Sequence, residues 1–322
     1  MGEAEARALA VRMAAACGRR LDDASPVVDA TLPDGTRLNA VLPPLSDDGT
    51  LICLRTKRRR AFTLAELVDA GTVTADLAPV LAGLVRARAS CLITGATGTG
   101  KTTLLAALLS LVPPTERIVC IEEASELRPD HPHVIHLQER SDNVQGIGAV
   151  PMTALVRTAL RMRPDRIVLG ECRGPEVRDV LTALNTGHEG GWATLHANSP
   201  ADVPARLTAL GALAGLDEIA VAAQAASALD AVIHLRRTRG ALAAEAVPGR
   251  GAGSGRSPVS PSARRYVASV GMLHRDEGGH LMCLEALLLG SDGVVRAGPS
   301  ADALARRIGT EPVTAVLTGG SR

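Results

Sequence analysis

A phosphate-binding loop is the stretch of this sequence with the clearest chemistry. Residues 95–102 read Gly-Ala-Thr-Gly-Thr-Gly-Lys-Thr, which fits G-x-x-x-x-G-K-[ST] between an apolar run and a helix-forming segment. Glycines let backbone N–H groups turn inward around phosphate oxygens, and the helix N-terminus adds partial positive charge. Lys101 would hold the β- and γ-phosphates, and Thr102 would offer a hydroxyl to Mg²⁺. The predicted nucleotide-binding residues are Gly95, Ala96, Thr97, Gly98, Thr99, Gly100, Lys101, Thr102 and Thr103.

Lysine is rare in this chain, and this rarity supports the interpretation of Lys101. Among 35 basic residues, only Lys57 and Lys101 are lysines. The wide planar guanidinium of arginine does not fit such a loop as a compact ammonium does. Lysine therefore stands where the geometry of phosphate binding requires it.

Acidic and histidine side chains follow three other apolar runs. The run "RIVLGE" ends in Glu171, the layout of a Walker B strand, "CIEEASEL" carries Glu122 and Glu123, and "TLHANSP" carries His196. Ligands bind at the carboxyl edge of open α/β sheets, so these side chains are expected beside the loop. Glu171 would hold the water of a metal ion or polarise the attacking water, and which of the three acids is the general base stays open. The predicted metal ligands are Thr102, Glu123 and Glu171.

The elements around these residues predict an α/β fold with a largely parallel sheet flanked by helices. From residue 89 onward, short apolar runs alternate with helical segments. Before it come an Ala-rich helix, a hairpin around Asp34-Gly35, a strand at 49–55 and a helix whose capping box starts at Thr63. The predicted organisation is an N-terminal domain with linker at 1–73, a core at 74–239, a flexible Gly/Pro/Ser/Arg-rich insertion at 240–265, and C-terminal strands and tail at 266–322.

Composition limits the classes of function. The chain is 46% hydrophobic with one Phe, one Trp and one Tyr, so the core must be aliphatic. A formal charge of +1 gives no general field for nucleic acid. Six scattered cysteines without CxxC pairs indicate buried thiols in a reducing compartment. No signal peptide or apolar run of about 18 residues is present, so the prediction is a cytoplasmic protein whose membrane role runs through a partner.

The phosphate-binding loop and the three motifs that carry Glu122, Glu171 and His196, in this order and spacing, resemble those of the type II/type IV secretion ATPase superfamily. The likeness is greatest to the tight-adherence (Tad, CpaF-like) pilus assembly and conjugal-transfer-associated branch, and it runs from about Gly18 to Leu235. It implies a RecA-like P-loop NTPase core with a small, truncated α+β N-terminal domain. It also implies an ATP-hydrolysing motor that uses ATP and Mg²⁺, forms a homohexameric ring and works with inner-membrane platform proteins of a pilus or secretion system.

The resemblance also assigns roles to single residues. In the family the acidic box supplies a carboxylate for Mg²⁺ and water activation, the histidine senses the γ-phosphate, and arginines complete the site at subunit boundaries. The positions that match are Glu122 and Glu123, the strand-end Glu171, His196, and the arginines Arg55 and Arg173, with Arg140 and Arg157 as further candidates. The chain departs from the pattern at Glu123, where the family usually has Asp, and after Arg55, where Thr56 and Lys57 follow.

Two other classes of function remain open from the sequence. One is an NTP-dependent switch or scaffold with little turnover, against which the intact Glu171, Glu122 and His196 count. The other is a nucleic-acid translocase, which the near-neutral charge and scarce aromatics disfavour. The basic run at 57–60 is interpreted as a solvated face, with phosphate groups of DNA or lipid as the alternative. No Asn-Lys-x-Asp guanine box is present, which favours ATP over GTP.

Overall fold

The computed structural model describes residues 1–56, 60–140, 148–238 and 264–319. The chain forms two compact units, Met1–Arg59 and Arg60–Arg322. The division falls before the expected boundary at residue 73, because Leu67 and Val73 are buried in the core of the second unit. Most of the insertion predicted at 240–265, and the basic run up to Arg59, lie outside the described residues.

The first unit is a helix packed on a three-stranded antiparallel sheet. Its elements are α1 (Glu3–Ala16), β1 (Val27–Thr31), β2 (Arg37–Val41) and β3 (Leu51–Arg55), with the strand order β1-β2-β3. The predicted hairpin is confirmed: Gly35 has a φ of +84°, and Asp34 Oδ1 accepts a hydrogen bond from the Thr36 N–H at 2.9 Å. Its small core consists of Ala10, Ala14, Leu21, Val28, Ala30, Leu38, Ala40 and Leu42.

The second unit alternates helices and strands, as the sequence predicts. Its helices are α2 (Leu64–Asp69), α3 (Leu77–Arg86), α4 (Lys101–Leu109), α5 (Met152–Leu160), α6 (Glu176–Asn185), α7 (Val203–Leu213), α8 (Glu218–Ala228), α9 (Ala301–Ile308) and α10 (Thr310–Gly319), and a 3-10 turn covers Pro200–Asp202. Its strands are β4 (Cys91–Thr94), β5 (Ile118–Glu122), β6 (Val134–Gln138), β7 (Arg166–Leu169), β8 (Trp192–Leu195), β9 (Ala231–Arg237), β10 (Arg265–Arg275), β11 (Leu281–Leu289) and β12 (Val295–Ala297). The capping box of α2 is confirmed, because Thr63 and Glu66 each accept from the other's backbone N–H.

One sheet organises this unit, in the order β12-β11-β10-β9-β4-β8-β7-β5-β6. The six strands from β9 to β6 run parallel, and β10, β11 and β12 extend the sheet beyond β9, each antiparallel to the strand before it. The predicted parallel sheet is therefore confirmed, and so are the two strands expected after residue 266. The strand β9 was not among the predicted ones, although it lies beside β4.

Aliphatic side chains cover both faces of the sheet. Helices α3, α4, α9 and α10 contribute Leu84, Leu104, Leu304 and Val313 to the core of one face. Helices α5 to α8 bury the other face, with core residues that include Val156, Val177, Leu207 and Val221. Trp192 of β8 is 3% exposed and joins the first of these cores.

The described helices are each 14 residues long or shorter. None of them alone is long and apolar enough to cross a bilayer. The helices Pro200–Leu213 and Glu218–Ala228 meet the length and composition limits only as a pair, and they are bent by 118° at the break between them.

Candidate nucleotide-binding site

The phosphate-binding loop connects β4 to α4, the strand–loop–helix context that its sequence requires. Gly95 has a φ of +145°, and a Cβ at this position would stand 2.5 Å from the Leu235 carbonyl oxygen, so only glycine fits. Gly100 is in the left-handed conformation at the N-cap of α4. The Thr99 hydroxyl donates to the Ala96 carbonyl at 2.9 Å. The loop is therefore held by its own backbone and by the neighbouring strand.

Lys101 lies at the first position of α4 and is 7% exposed. Its Nζ donates to the carbonyl oxygens of Gly95 at 3.0 Å and Ala96 at 3.2 Å. Burial lowers the pKa of this ammonium, and the Arg173 charge adds to the effect while Glu171 opposes it. The ammonium therefore stands at the loop itself, where a phosphate group would be bound.

A chain of polar contacts runs from Lys101 to the predicted catalytic acid. Lys101 Nζ is 3.5 Å from His196 Nδ1 and 3.4 Å from its Nε2, and His196 Nε2 is 2.7 Å from Glu171 Oε1. Burial first, and then the Lys101 charge, lower the pKa of His196, which favours the neutral imidazole. His196 lies in contact with both the Lys101 ammonium and the Glu171 carboxylate. His196 thus links the loop to the end of β7.

Arg173 joins the two acidic boxes within one chain. Its guanidinium nitrogens lie 2.7 Å from Glu171 Oε2 and 2.7 Å from Glu123 Oε2. The hydrogen bond with Glu171 is the main reason that the pKa of Arg173 is raised. The structure therefore brings Glu123, Glu171, Arg173 and His196 together beside Lys101. The sheet edge was the expected place of the two acids and His196, whereas the resemblance assigned Arg173 to a subunit boundary.

Glu122 is close to this cluster but faces the protein interior. It is 4% exposed, and its Oε1 accepts hydrogen bonds from the backbone N–H groups of Glu126 and Leu127, both at 2.9 Å. A Cβ on Gly170 would stand 2.7 Å from Glu122 Cγ, so glycine is needed where β7 passes this side chain. Burial raises the pKa of Glu122, against the lowering effect of those two hydrogen bonds. Its contacts are those of a residue that supports the turn after β5.

The oxygen donors near the loop fit a hard divalent cation such as Mg²⁺. Thr102 carries a hydroxyl in the first turn of α4, and Glu123 and Glu171 carry carboxylates that share one guanidinium. Within the described part of the chain, no three His, Cys, Asp or Glu side chains converge as a metal site. A cation here would therefore need oxygen atoms from a bound phosphate, which is the usual arrangement for Mg²⁺ in nucleotide sites.

The other arginine candidates lie in different surroundings. Arg55 is the exposed last residue of β3 in the first unit. Arg157 of α5 pairs with Asp179 of α6 at 3.1 Å and is largely exposed, the geometry of a surface ion pair. Arg140 donates from Nε to the Gly148 carbonyl at 2.6 Å.

Sequence reasoning missed three residues on the strands beside the loop. His234 of β9 is buried, and its Nδ1 lies 2.9 Å from the Thr94 hydroxyl, one residue before the loop. Arg237 and Arg265 are register partners on β9 and β10. The signal was the apolar run "AVIHL" followed by two arginines, which is typical of a buried strand that ends at a charged sheet edge.

Comparison with known proteins identifies the family of this chain. The family profile described as "Type II/IV secretion system protein" matches residues 3–283. The chain belongs to this family. Among relatives, a Mycobacterium tuberculosis protein that is by name a conjugal transfer protein is 54% identical over 243 residues, 74% of this chain and 69% of the relative. The family member PtlH, a type IV secretion system protein of Bordetella pertussis, is 39% identical over 223 residues, 62% of this chain and 66% of its own length.

A solved structure resembles the fold of the present chain. The ATPase DotB of Yersinia pseudotuberculosis superposes with a TM-score of 0.52 at 15% identity and covers 99% of this chain and 74% of that one. At this identity the likeness concerns the fold. Together with the sheet order and the loop, it confirms the predicted RecA-like core with a small antiparallel N-terminal sheet.

Proposed function

We propose that this protein is an ATPase that energises the assembly of a membrane machine or transfer through it. One observation carries the proposal: the contacts Lys101–His196–Glu171–Arg173 connect a phosphate-binding loop to a strand-end acid without a break. A loop that only stored a nucleotide would not need an acid coupled to its lysine. Family membership supports the same assignment.

Each residue of the cluster then has a role in phosphoryl transfer to water. The loop and Lys101 bind the β- and γ-phosphates of ATP. His196 contacts both Lys101 and Glu171, so it is placed to respond to the γ-phosphate, and Glu171 orients and polarises the attacking water. Thr102, Glu123 and Glu171 would hold Mg²⁺, which neutralises charge on the phosphate oxygens when bound.

Arg173 balances the two carboxylates before the nucleotide enters. Its salt bridges to Glu123 and Glu171 hold both acids at the same sheet edge. When phosphate groups arrive, the guanidinium can turn toward them, because 60% of the side chain is exposed. It would then stabilise charge in the transition state.

The wider setting is also part of this proposal. Family membership and the names of the relatives support a place in conjugal transfer, type IV secretion or pilus assembly of the tight-adherence type. We expect a homohexameric ring on the cytoplasmic side of the membrane, held there by inner-membrane platform proteins. Arg55 would complete the site of a neighbouring subunit.

Phosphate release from ATP under steady-state conditions tests the proposal. The wild-type chain should turn over, Lys101→Ala should lose ATP binding, and Glu171→Gln should bind ATP but turn over roughly 10²-fold more slowly or worse, a general-base-sized loss. Glu277→Gln, which changes an exposed acid between β10 and β11, is the matched control and should behave as wild type. ATP binding without any release by the wild type would instead support a nucleotide-dependent switch.

A further inference from the structure

Two arginines end the pair of strands that flanks the phosphate-binding loop. Arg237 is the last residue of β9, Arg265 is the first residue of β10, and the two are direct partners in the antiparallel register. Directly opposed residues point to the same face of a sheet. Beyond them the strands stay connected, because the Thr238 N–H donates to the Arg264 carbonyl at 2.9 Å. Strand pairing therefore presents the two guanidinium-bearing side chains together.

Both side chains reach the rim of the loop. A Cβ on Gly98 would stand 3.6 Å from Arg237 Nη1, and a Cβ on Gly100 would stand 3.7 Å from Arg265 Cδ. Both arginines are exposed. Because β9 is hydrogen-bonded to β4, the strand that leads into the loop, this placement follows from the sheet and not from a long flexible connection.

The charges on the β9 side of the loop are positive. Lys101 and the N-terminus of α4 are positive, and the two guanidinium groups add two more positive charges. Within the described ranges, neither Arg237 nor Arg265 forms an ion pair with a carboxylate. Like charges held together repel, and a bound anion would remove that repulsion. The planar fork of arginine matches phosphate oxygens well.

The sheet order shows which phosphates these arginines would contact. Glu123, Glu171 and His196 follow β5, β7 and β8, which lie on one side of β4, whereas β9 and β10 lie on the other side. The γ-phosphate belongs with the reacting residues. We therefore propose that Arg237 and Arg265 bind the α- and β-phosphate oxygens from within the same chain, and so hold ADP and ATP alike. This inference rests on the proposed nucleotide site.

Calorimetric titration of ADP and ATP, each with Mg²⁺, tests the assignment. Arg237→Gln and Arg265→Gln should each raise the Kd of both nucleotides by roughly 10-fold or more, the effect of losing one charge-assisted hydrogen bond. Arg236→Gln is the matched control, because it removes the same charge from the neighbouring position of β9, which alternates to the opposite face. Circular dichroism melts should confirm that all three variants are folded.

Two outcomes would overturn the assignment. One is an unchanged Kd for both nucleotides in the folded Arg237→Gln and Arg265→Gln variants. The other is a loss confined to ATP, which would place the guanidinium groups at the γ-phosphate. If the wild-type protein hydrolyses ATP, either result leaves the proposed ATPase function intact. The arginine assignment and the proposed function can therefore fail separately. If the wild type binds ADP but releases no phosphate, the motor assignment fails while the titration of the arginine variants still gives its answer.

Discussion

Glu122 offers a test that separates an acid supporting the turn after β5 from an acid that reacts. Its Oε1 accepts two backbone hydrogen bonds, from Glu126 and from the fully buried Leu127. The informative pair of changes is Glu122→Gln and Glu122→Ala. Glutamine keeps a carbonyl oxygen at the same distance from the backbone, whereas alanine removes the acceptor altogether.

The magnitude follows from those two hydrogen bonds. A buried N–H left without an acceptor costs about 1–3 kcal/mol, so the loss of the acceptor for two N–H groups in Glu122→Ala should lower the free energy of unfolding by roughly 2–6 kcal/mol. Glu122→Gln loses the charged acceptor but also removes a buried carboxylate, and the two effects oppose each other. We expect it to change the free energy of unfolding by no more than about 1 kcal/mol.

Urea unfolding followed by circular dichroism measures the stability, and phosphate release measures turnover. Glu122→Gln should keep turnover within about 3-fold of wild type. Glu171→Gln, measured in the same assay, should lower turnover roughly 10²-fold. The reasoning would be refuted if Glu122→Gln were as stable as wild type and yet as inactive as Glu171→Gln. Glu122 would then be the reacting acid.

Three further predictions concern other parts of the chain. Burial lowers the pKa of His234 from 6.5 to about 4. The folded state therefore binds this proton less readily than the unfolded state does. The free energy of unfolding should fall as the pH is lowered from 6.5 towards 4. Urea titrations at pH 7.5 and pH 5 measure this loss of stability, and His234→Gln should make it smaller. An equal loss of stability in wild type and His234→Gln would show that His234 does not cause it. Mixing Arg55→Ala with Lys101→Ala, each inactive alone, should restore partial phosphate release if Arg55 acts on a neighbouring subunit, and a mixture that co-assembles but stays inactive would argue against it. Arg157→Ala should leave turnover unchanged, because the Arg157 side chain is largely exposed and pairs with Asp179 of the neighbouring helix α6; a loss above about 10-fold would show that this pair is functional.

Local patterns in the sequence were sufficient for much of the fold and for the loop. Three local features each depend on a few adjacent residues: the capping box at Thr63, the turn at Asp34-Gly35 and the loop at 95–102. Their residue types and spacing are therefore enough to predict them. The acids after β5 and β7 were expected near the loop because parallel strands end at a common edge. These expectations needed no knowledge of the strand order.

The parts that failed depend on contacts between distant segments. Glu122 and Glu123 are adjacent in the sequence, but their side chains have different surroundings. Glu122 accepts a hydrogen bond from the buried Leu127 N–H, whereas Glu123 pairs with Arg173. Strand β9 has a continuous apolar run and follows the Ala-rich α8, so it lacks the alternation that marks a half-buried strand. The roles of His234 and Arg237 became visible only when β9 was placed beside β4.

Trp192 has a practical consequence for optical measurements. It is the single tryptophan of the chain, it is buried, and it lies in β8 at the centre of the large sheet. Tyr266 and Phe62, the other two aromatic residues, also belong to the second unit, so residues 1–59 contain no aromatic chromophore. Intrinsic emission therefore follows the unfolding of the second unit only, whereas far-ultraviolet signals follow both units. The difference between the two melting curves isolates the first unit without any label.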